Sequence, residues 1–364
     1  MCVTPALTKL ERRTRKMKTL QNAMWVCVFI LCFLIFTATA SKSQSLQESG
    51  RKIAPTVVDQ QAAQESDLIY QHVRPAYTAA GRAMKSQQRA ATPSPKPSSV
   101  ADSTGLRFPA DLTYLGGPVV TSAESHAIYL IPHGNCVPVA NCWGNPEGFL
   151  ADLANSDFVH LLDQYTGVSG SYTVGPNTMI SYRQSAASFT DADIQVFVHA
   201  VASKDGGGYG HIYHVFLPPG QDECFSANSH VCYSPDDPKT FVFCAYHTSV
   251  EFKDIGHVLY SVEPFQNVPG CSVRPGTPNG QLVDSTNNTL SHELFEMISD
   301  PDGNAWVNFS LVALAGEEIA DECSFFTVTT AGAFFDPSIF SVGSHLYAVD
   351  PEYSNSAHAC AVGP

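Results

Sequence analysis

The sequence predicts an α+β fold, a mixed sheet with packed helices stabilised by disulfides. Three observations carry this: short β-rich runs punctuated by Gly and Pro, helix-length segments interleaved with them, and eight cysteines outside the N-terminal region of a chain built for export. Taken in order, Ala127 to Ile131 reads as a strand. After a cysteine loop and Pro146, Glu147 to Tyr165 reads as a helix in which Phe149, Leu153, Val159 and Leu162 form a buried stripe. In Asp191 to Ala202 the apolar residues fit strand alternation as well as helical spacing. The Thr190-Asp191 cap decides for helix. Ile212 to Leu217, Phe241 to Ala245 and Val258 to Val262 follow as short strands, and Asn287 to Asp300 as a helix that Pro301 terminates, because a proline disfavours helical geometry in the residue before it.

Export is read from the N-terminus. Lys9, Arg12, Arg13, Arg15, Lys16 and Lys18 precede an uncharged apolar run from Ala23 to Phe36, and Ala38-Thr39-Ala40 offers small residues for cleavage before Ser41. A retained single-pass anchor, with the same domain outside, is the alternative. The domain plan is therefore a signal peptide over 1–40, a flexible Ser/Pro/Gln-rich spacer over 41–105, and one folded domain over 106–364. Once the signal is removed, no membrane association is expected. In the exported part, Cys136, Cys142, Cys224, Cys232, Cys244, Cys271, Cys323 and Cys360 form an even set without CxxC spacing, which reads as disulfides. Nearness in sequence favours Cys136 with Cys142, Cys224 with Cys232, and Cys323 with Cys360.

From Ala101 onward there are six Lys and Arg against 29 Asp and Glu, a balance of 6 − 29 = −23. Nucleic acid is excluded as a partner on that ground. Any partner is expected to be extracellular or in the cell envelope.

The chemistry concentrates in NNTLSHELFEMISD, Asn287 to Asp300. At 100° per residue, Leu290, Leu294, Met297 and Ile298 share one face, and His292, Glu293, Glu296 and Asp300 share the other. The ordinary reading of such a helix is a core face and a wet face. Two details point to a site instead. His292 and Glu296 stand four apart, the spacing by which HExxH projects two metal ligands with the first Glu as general base, although the fifth position here is Glu. An acidic stretch, Gly316 to Cys323, then follows where a third carboxylate ligand would come from. Asp300-Pro301-Asp302-Gly303-Asn304 begins like a calcium loop, but Ala305 stands where that loop needs Gly, so it reads as a turn with Trp306 packing inward.

Combined, Pro278-Asn279-Gly280, SHELFEMISDPDGNAW and GEEIADEC resemble elements of the exordium, or phosphate-induced, family and its bacterial relatives. IYHVFLPPG from Ile212, CAYHTS from Cys244 and EYSNSAHAC from Glu352 extend the resemblance over roughly Ser125 to the C-terminus. It implies a secreted protein with a zincin-like α+β core and supplies no reaction. Carried onto this chain, it points to His292, Glu293, Glu296 and Asp300 on the helix, with Glu318 and Asp321 after it. His247 is a further candidate, with a structural histidine as its more ordinary reading.

Two functional readings follow. In the first, the helix holds a divalent metal or a polar cluster without turnover. Its ligands would be His292, Glu296, Asp300, Glu318 and Asp321, an oxygen-rich set that suits calcium or manganese as well as zinc. In the second, the protein is a metal-dependent hydrolase of the peptidase kind, with His292 and Glu296 on zinc and Glu293 as general base.

Overall fold

The computed structural model describes residues 73–91, 110–132, 136–182, 188–309, 314–327 and 334–364. All lie within Val57–Pro364; residues 1–56 lie outside the described residues, and with them the expected export signal and cleavage point before Ser41. No helix among the described residues is long and apolar enough to cross a membrane.

The architecture is α+β. Seven strands form a mixed sheet: β1 (Val73–Pro75), β2 (Ser122–Pro132), β3 (Ser171–Val174), β4 (Thr178–Tyr182), β5 (Gly208–Phe216), β6 (Phe243–Phe252) and β7 (Gly256–Glu263). In space the order is β1-β6-β7-β5-β2-β3, and β4 pairs with the same edge of β2 further along. β2 and β5, and β5 and β7, run parallel, whereas the β6–β7 hairpin and the β1–β6 pair are antiparallel.

Five principal helices are α1 (Ala79–Ala91), α2 (Pro146–Ala154), α3 (Asp191–Asp205), α4 (Gln281–Ser299) and α5 (Ile319–Thr327). The central strands read as continuous apolar runs because both their faces are buried. Along β2, Ala127, Tyr129 and Ile131 pack on the α4 side with Leu294, Phe295 and Ile298, while Ile128 and Leu130 pack on the α3 side with Ile194, Val198 and Val201.

α3 forms where the cap predicted it: Thr190 Oγ1 accepts from the Asp193 amide and Asp193 reaches back to the Thr190 amide, a complete capping box. The stripe expected over Glu147 to Tyr165 is buried, but the helix breaks after Ala154; a 3₁₀ turn at Val159–Leu162 and a short helix at Asp163–Thr166 carry the rest. Asn155 and Ser156 explain the break, each bonding its side chain to a backbone carbonyl three or four residues back.

α4 is longer than the expected Asn287 start by six residues. Gln281 to Thr289 is rich in Asp, Ser, Asn and Thr, which compete locally for backbone hydrogen bonds and so mask helical periodicity. Here Asp284 receives the Asn279 backbone and side-chain amides and Ser285 receives the Val273 amide from outside the helix, while the Ser285 and Thr286 hydroxyls donate to carbonyls one turn back. The larger correction is that α4 has no wet face; every residue from Asp284 to Ser299 is buried. Asn287 and Asn308, each the first residue of an Asn-x-Ser/Thr glycosylation sequence, are buried as well.

The expected spacer needs a second correction. Residues 73–91 are packed structure, with β1 closing the edge of β6 and α1 lying beside α5. Four disulfides, Cys136–Cys142, Cys224–Cys232, Cys244–Cys271 and Cys323–Cys360, pair all eight cysteines from Cys136 onward and fit an oxidising compartment. The last two close 27- and 37-residue spans, each worth roughly 3–4 kcal/mol in chain-entropy terms.

Candidate metal centre

α4 sends His292, Glu293 and Glu296 toward the sheet, where β6 supplies His247, and the N-terminal end of α5 closes the space with Glu318 and Asp321. Glu296 is the hub. Its Oε1 lies 3.3 Å from His292 Nε2 and accepts the Asp321 amide at 3.2 Å, while its Oε2 lies 3.5 Å from His247 Nδ1. His247 Nδ1 also stands 3.3 Å from Glu293 Oε2, and its Nε2 is 3.6 Å from Glu318 Oε1. Two donor trios share Glu296, namely His247, Glu296 and Glu318, and His292, Glu293 and Glu296; within each, the donor atoms fall inside 4.8 Å. All five side chains are at most 1 % exposed.

His292 is held by an outer layer. Its Nδ1 sits 3.1 Å from Asp350 Oδ2, which also accepts from Ser324 Oγ and, at 2.9 Å, from Arg74 Nη2. A carboxylate on one imidazole nitrogen fixes the tautomer and presents the other as a ligand. His292 Nε2 makes no hydrogen bond. Arg74 is fully buried, bonds Asn288 and Thr289 on α4, and lies 4.1 Å over the Phe335 ring.

The electrostatics are those of a buried acidic cluster. Burial lowers the proton affinity of His247, yet Glu293 and Glu296 overcome it and hold the ring at about 9; His292 is held well above its ordinary range by Glu296 and Asp350 against the same burial. Glu296, which burial would raise, is held well below the usual carboxylate range by His292 and His247. Burial pushes Glu263 up to about 8, raises Glu293, and raises Glu318 and Glu352 far above the usual range. Protons thus neutralise the cluster, and a divalent cation bound at Glu296 would displace some of them.

The expected site residues separate into two groups. His292, Glu293, Glu296 and Glu318 come together; Asp300 and Asp321 are engaged elsewhere. Asp300 Oδ1 accepts the Asn304 and Ala305 amides at 2.7 and 2.6 Å, closing the turn after α4 in place of a calcium loop. Trp306 then stacks edge-on against Tyr165 and face-on against Tyr114. Asp321 Oδ2 pairs with Lys85 Nζ at 2.7 Å, and its Oδ1 remains 3.9 Å from His292 Nε2. Lys85 bridges to Glu317 at 2.7 Å as well, beside a cavity of about 350 Å³ lined by Tyr77, Arg82, Lys85, Glu317, Asp321 and Phe335.

His247, given a structural role as its ordinary reading, is central. Arg74, Lys85, Asp350 and Glu352 carried no spacing signal at all. The one legible hint was GEEIADEC, whose carboxylates are too many for a solvated turn if the segment is buried.

A pH effect follows from Glu322. Burial pushes its carboxyl up to about 9 although Asn308 donates to it. The folded state therefore holds a proton that the unfolded chain releases near 4.5, and this group makes stability fall as pH rises between about 4.5 and 9. Glu322→Gln keeps the acceptor for Asn308 and removes that loss. Its melting temperature should match wild type at pH 4 and exceed it by several degrees at pH 8; parallel profiles would refute the assignment.

Comparison of the chain with family profiles, with curated proteins and with solved structures finds no match.

Proposed function

We propose that the chain is a secreted, exordium-like protein whose zincin-like helix α4 carries a divalent cation in a closed site, serving binding or architecture without turnover. The observation behind this is the pair of donor trios that share Glu296, His247 with Glu318 on one side and His292 with Glu293 on the other, with Asp350 behind His292. Within each trio the donor atoms lie inside 4.8 Å, so small side-chain shifts bring them to the roughly 2.0–2.2 Å from one ion that zinc ligands keep. An imidazole with two carboxylates is an oxygen-rich set that suits manganese or calcium as well as zinc. Complete burial supports a structural role, since catalytic sites keep a position open to water.

The second reading, a metal-dependent hydrolase with Glu293 as base, draws support from Glu293 Oε1, which is buried and has no hydrogen-bond partner. Metal analysis of the purified chain, melting with and without chelator, and a generic peptide-hydrolysis assay separate the two. One tightly held ion, a lower melting temperature in chelator and no hydrolysis are expected. Chelator-sensitive hydrolysis would establish the enzyme instead. A metal-free protein that melts identically in chelator would leave a protonated polar cluster and defeat both.

A further inference from the structure

A different set of donors stands on the opposite face of the sheet. Glu124 and His126 are two residues apart on β2, so their side chains leave the same face. β5 places His211 directly across from Glu124, and Tyr213 across from His126. Tyr213 packs among the residues on the α3 side, whereas α4, which carries His292, packs on the other side. The thickness of the sheet separates this trio from the centre at Glu296.

His126 Nε2 and His211 Nδ1 face each other at 3.1 Å, and one donor atom from each of Glu124, His126 and His211 falls within 4.8 Å of the others. Two nitrogens held by one tetrahedral zinc ion lie about 3.4 Å apart, so the rings need to move only a few tenths of an ångström. His126 is 2 % exposed, and its ring is fixed by stacking on Tyr213 with centroids 4.9 Å apart.

The backbone around the trio is shaped to it. A Cβ on Gly175 would lie 2.3 Å from Glu124 Oε1 and 2.5 Å from His126 Cε1, and one on Gly206 would lie 2.6 Å from His211 Nε2. Glycine at both positions lets two loops close over the three side chains. Glu124 and His211 themselves are only partly buried, so an ion held here keeps a face toward solvent, unlike the sealed centre under α4.

We infer that Glu124, His126 and His211 form a second metal site, which takes an imidazole-preferring divalent ion such as zinc or copper(II) and leaves at least one coordination position for water or an outside ligand. Two imidazoles and one carboxylate discriminate against calcium and magnesium, which require oxygen cages. The site stands whether or not the Glu296 centre binds metal.

Zinc titration of the purified full chain by calorimetry, followed by cobalt(II) absorption, tests it in wild type, His211→Ala, Glu124→Gln and Glu296→Ala. The expected result is that His211→Ala loses one zinc equivalent, Glu124→Gln binds that equivalent at least tenfold more weakly, and Glu296→Ala retains it. Both His211 and Glu124 are peripheral, and unchanged melting of the metal-free variants confirms their folding. If wild type takes up a single ion that His211→Ala loses and Glu296→Ala keeps, the second site stands and the buried centre falls. Uptake with the same stoichiometry and affinity in wild type, His211→Ala and Glu124→Gln overturns the inference, as does a wild type that binds no zinc.

Discussion

Arg74→Ala should lower stability by about 3–5 kcal/mol, the range found when one partner of a buried ion pair is removed and the other charge is left behind. The guanidinium is fully buried and serves Asp350, Asn288 and Thr289 together, so its loss strands an anion and two α4 side chains in one step. For a domain of this size the change corresponds to a drop of about 10 °C in melting temperature. Arg74→Lys keeps the charge but not the fork that reaches several acceptors, and should fall between. A shift below about 2 °C for Arg74→Ala would mean that Asp350 is neutralised by something other than Arg74.

Glu296→Ala should have a comparable effect, and a different signature. Two buried imidazoles depend on this carboxylate, and each is held in its charged form partly by it. With an ion present, the substitution removes the shared ligand; without one, it leaves His292 and His247 without their common counter-charge. Loss of the tightly held ion and of about 3 kcal/mol or more is expected. Glu293→Gln preserves volume and the contact with His247 Nδ1, and should retain metal with a loss of under about 1 kcal/mol. Equal metal content and equal melting in Glu296→Ala and wild type would remove Glu296 from the hub of the site.

The outline of the fold was legible because it rests on period and punctuation. Ile212 to Leu217 and Val258 to Val262 are apolar runs bounded by Gly or Pro, and both lie in or beside the observed strands. The three disulfides between near neighbours were legible for the same local reason. The centre was half legible. HExxE fixes the spacing of His292 and Glu296 along one helix, but nothing local says that the helix is buried on all sides, since an acidic face looks identical whether water or a second carboxylate layer covers it. His247 and Asp350 enter only through long-range pairing, and Lys85 lay in a stretch whose composition reads as linker. Asp321 was a reasonable ligand until a lysine from that stretch reached it first.

The contact between Arg74 and Asp350 joins residues 276 positions apart, and that between Lys85 and Asp321 joins residues 236 apart. As the chain is made from its N-terminus, both cations therefore appear long before the acids they neutralise. Closing such long loops has an entropic cost that must be met before the contacts repay it. Enclosure of an ion at Glu296 thus depends on contacts between widely separated segments of the chain. A domain expressed from residue 106 would contain every metal donor named above and neither of the two cations that make the cluster's burial tolerable.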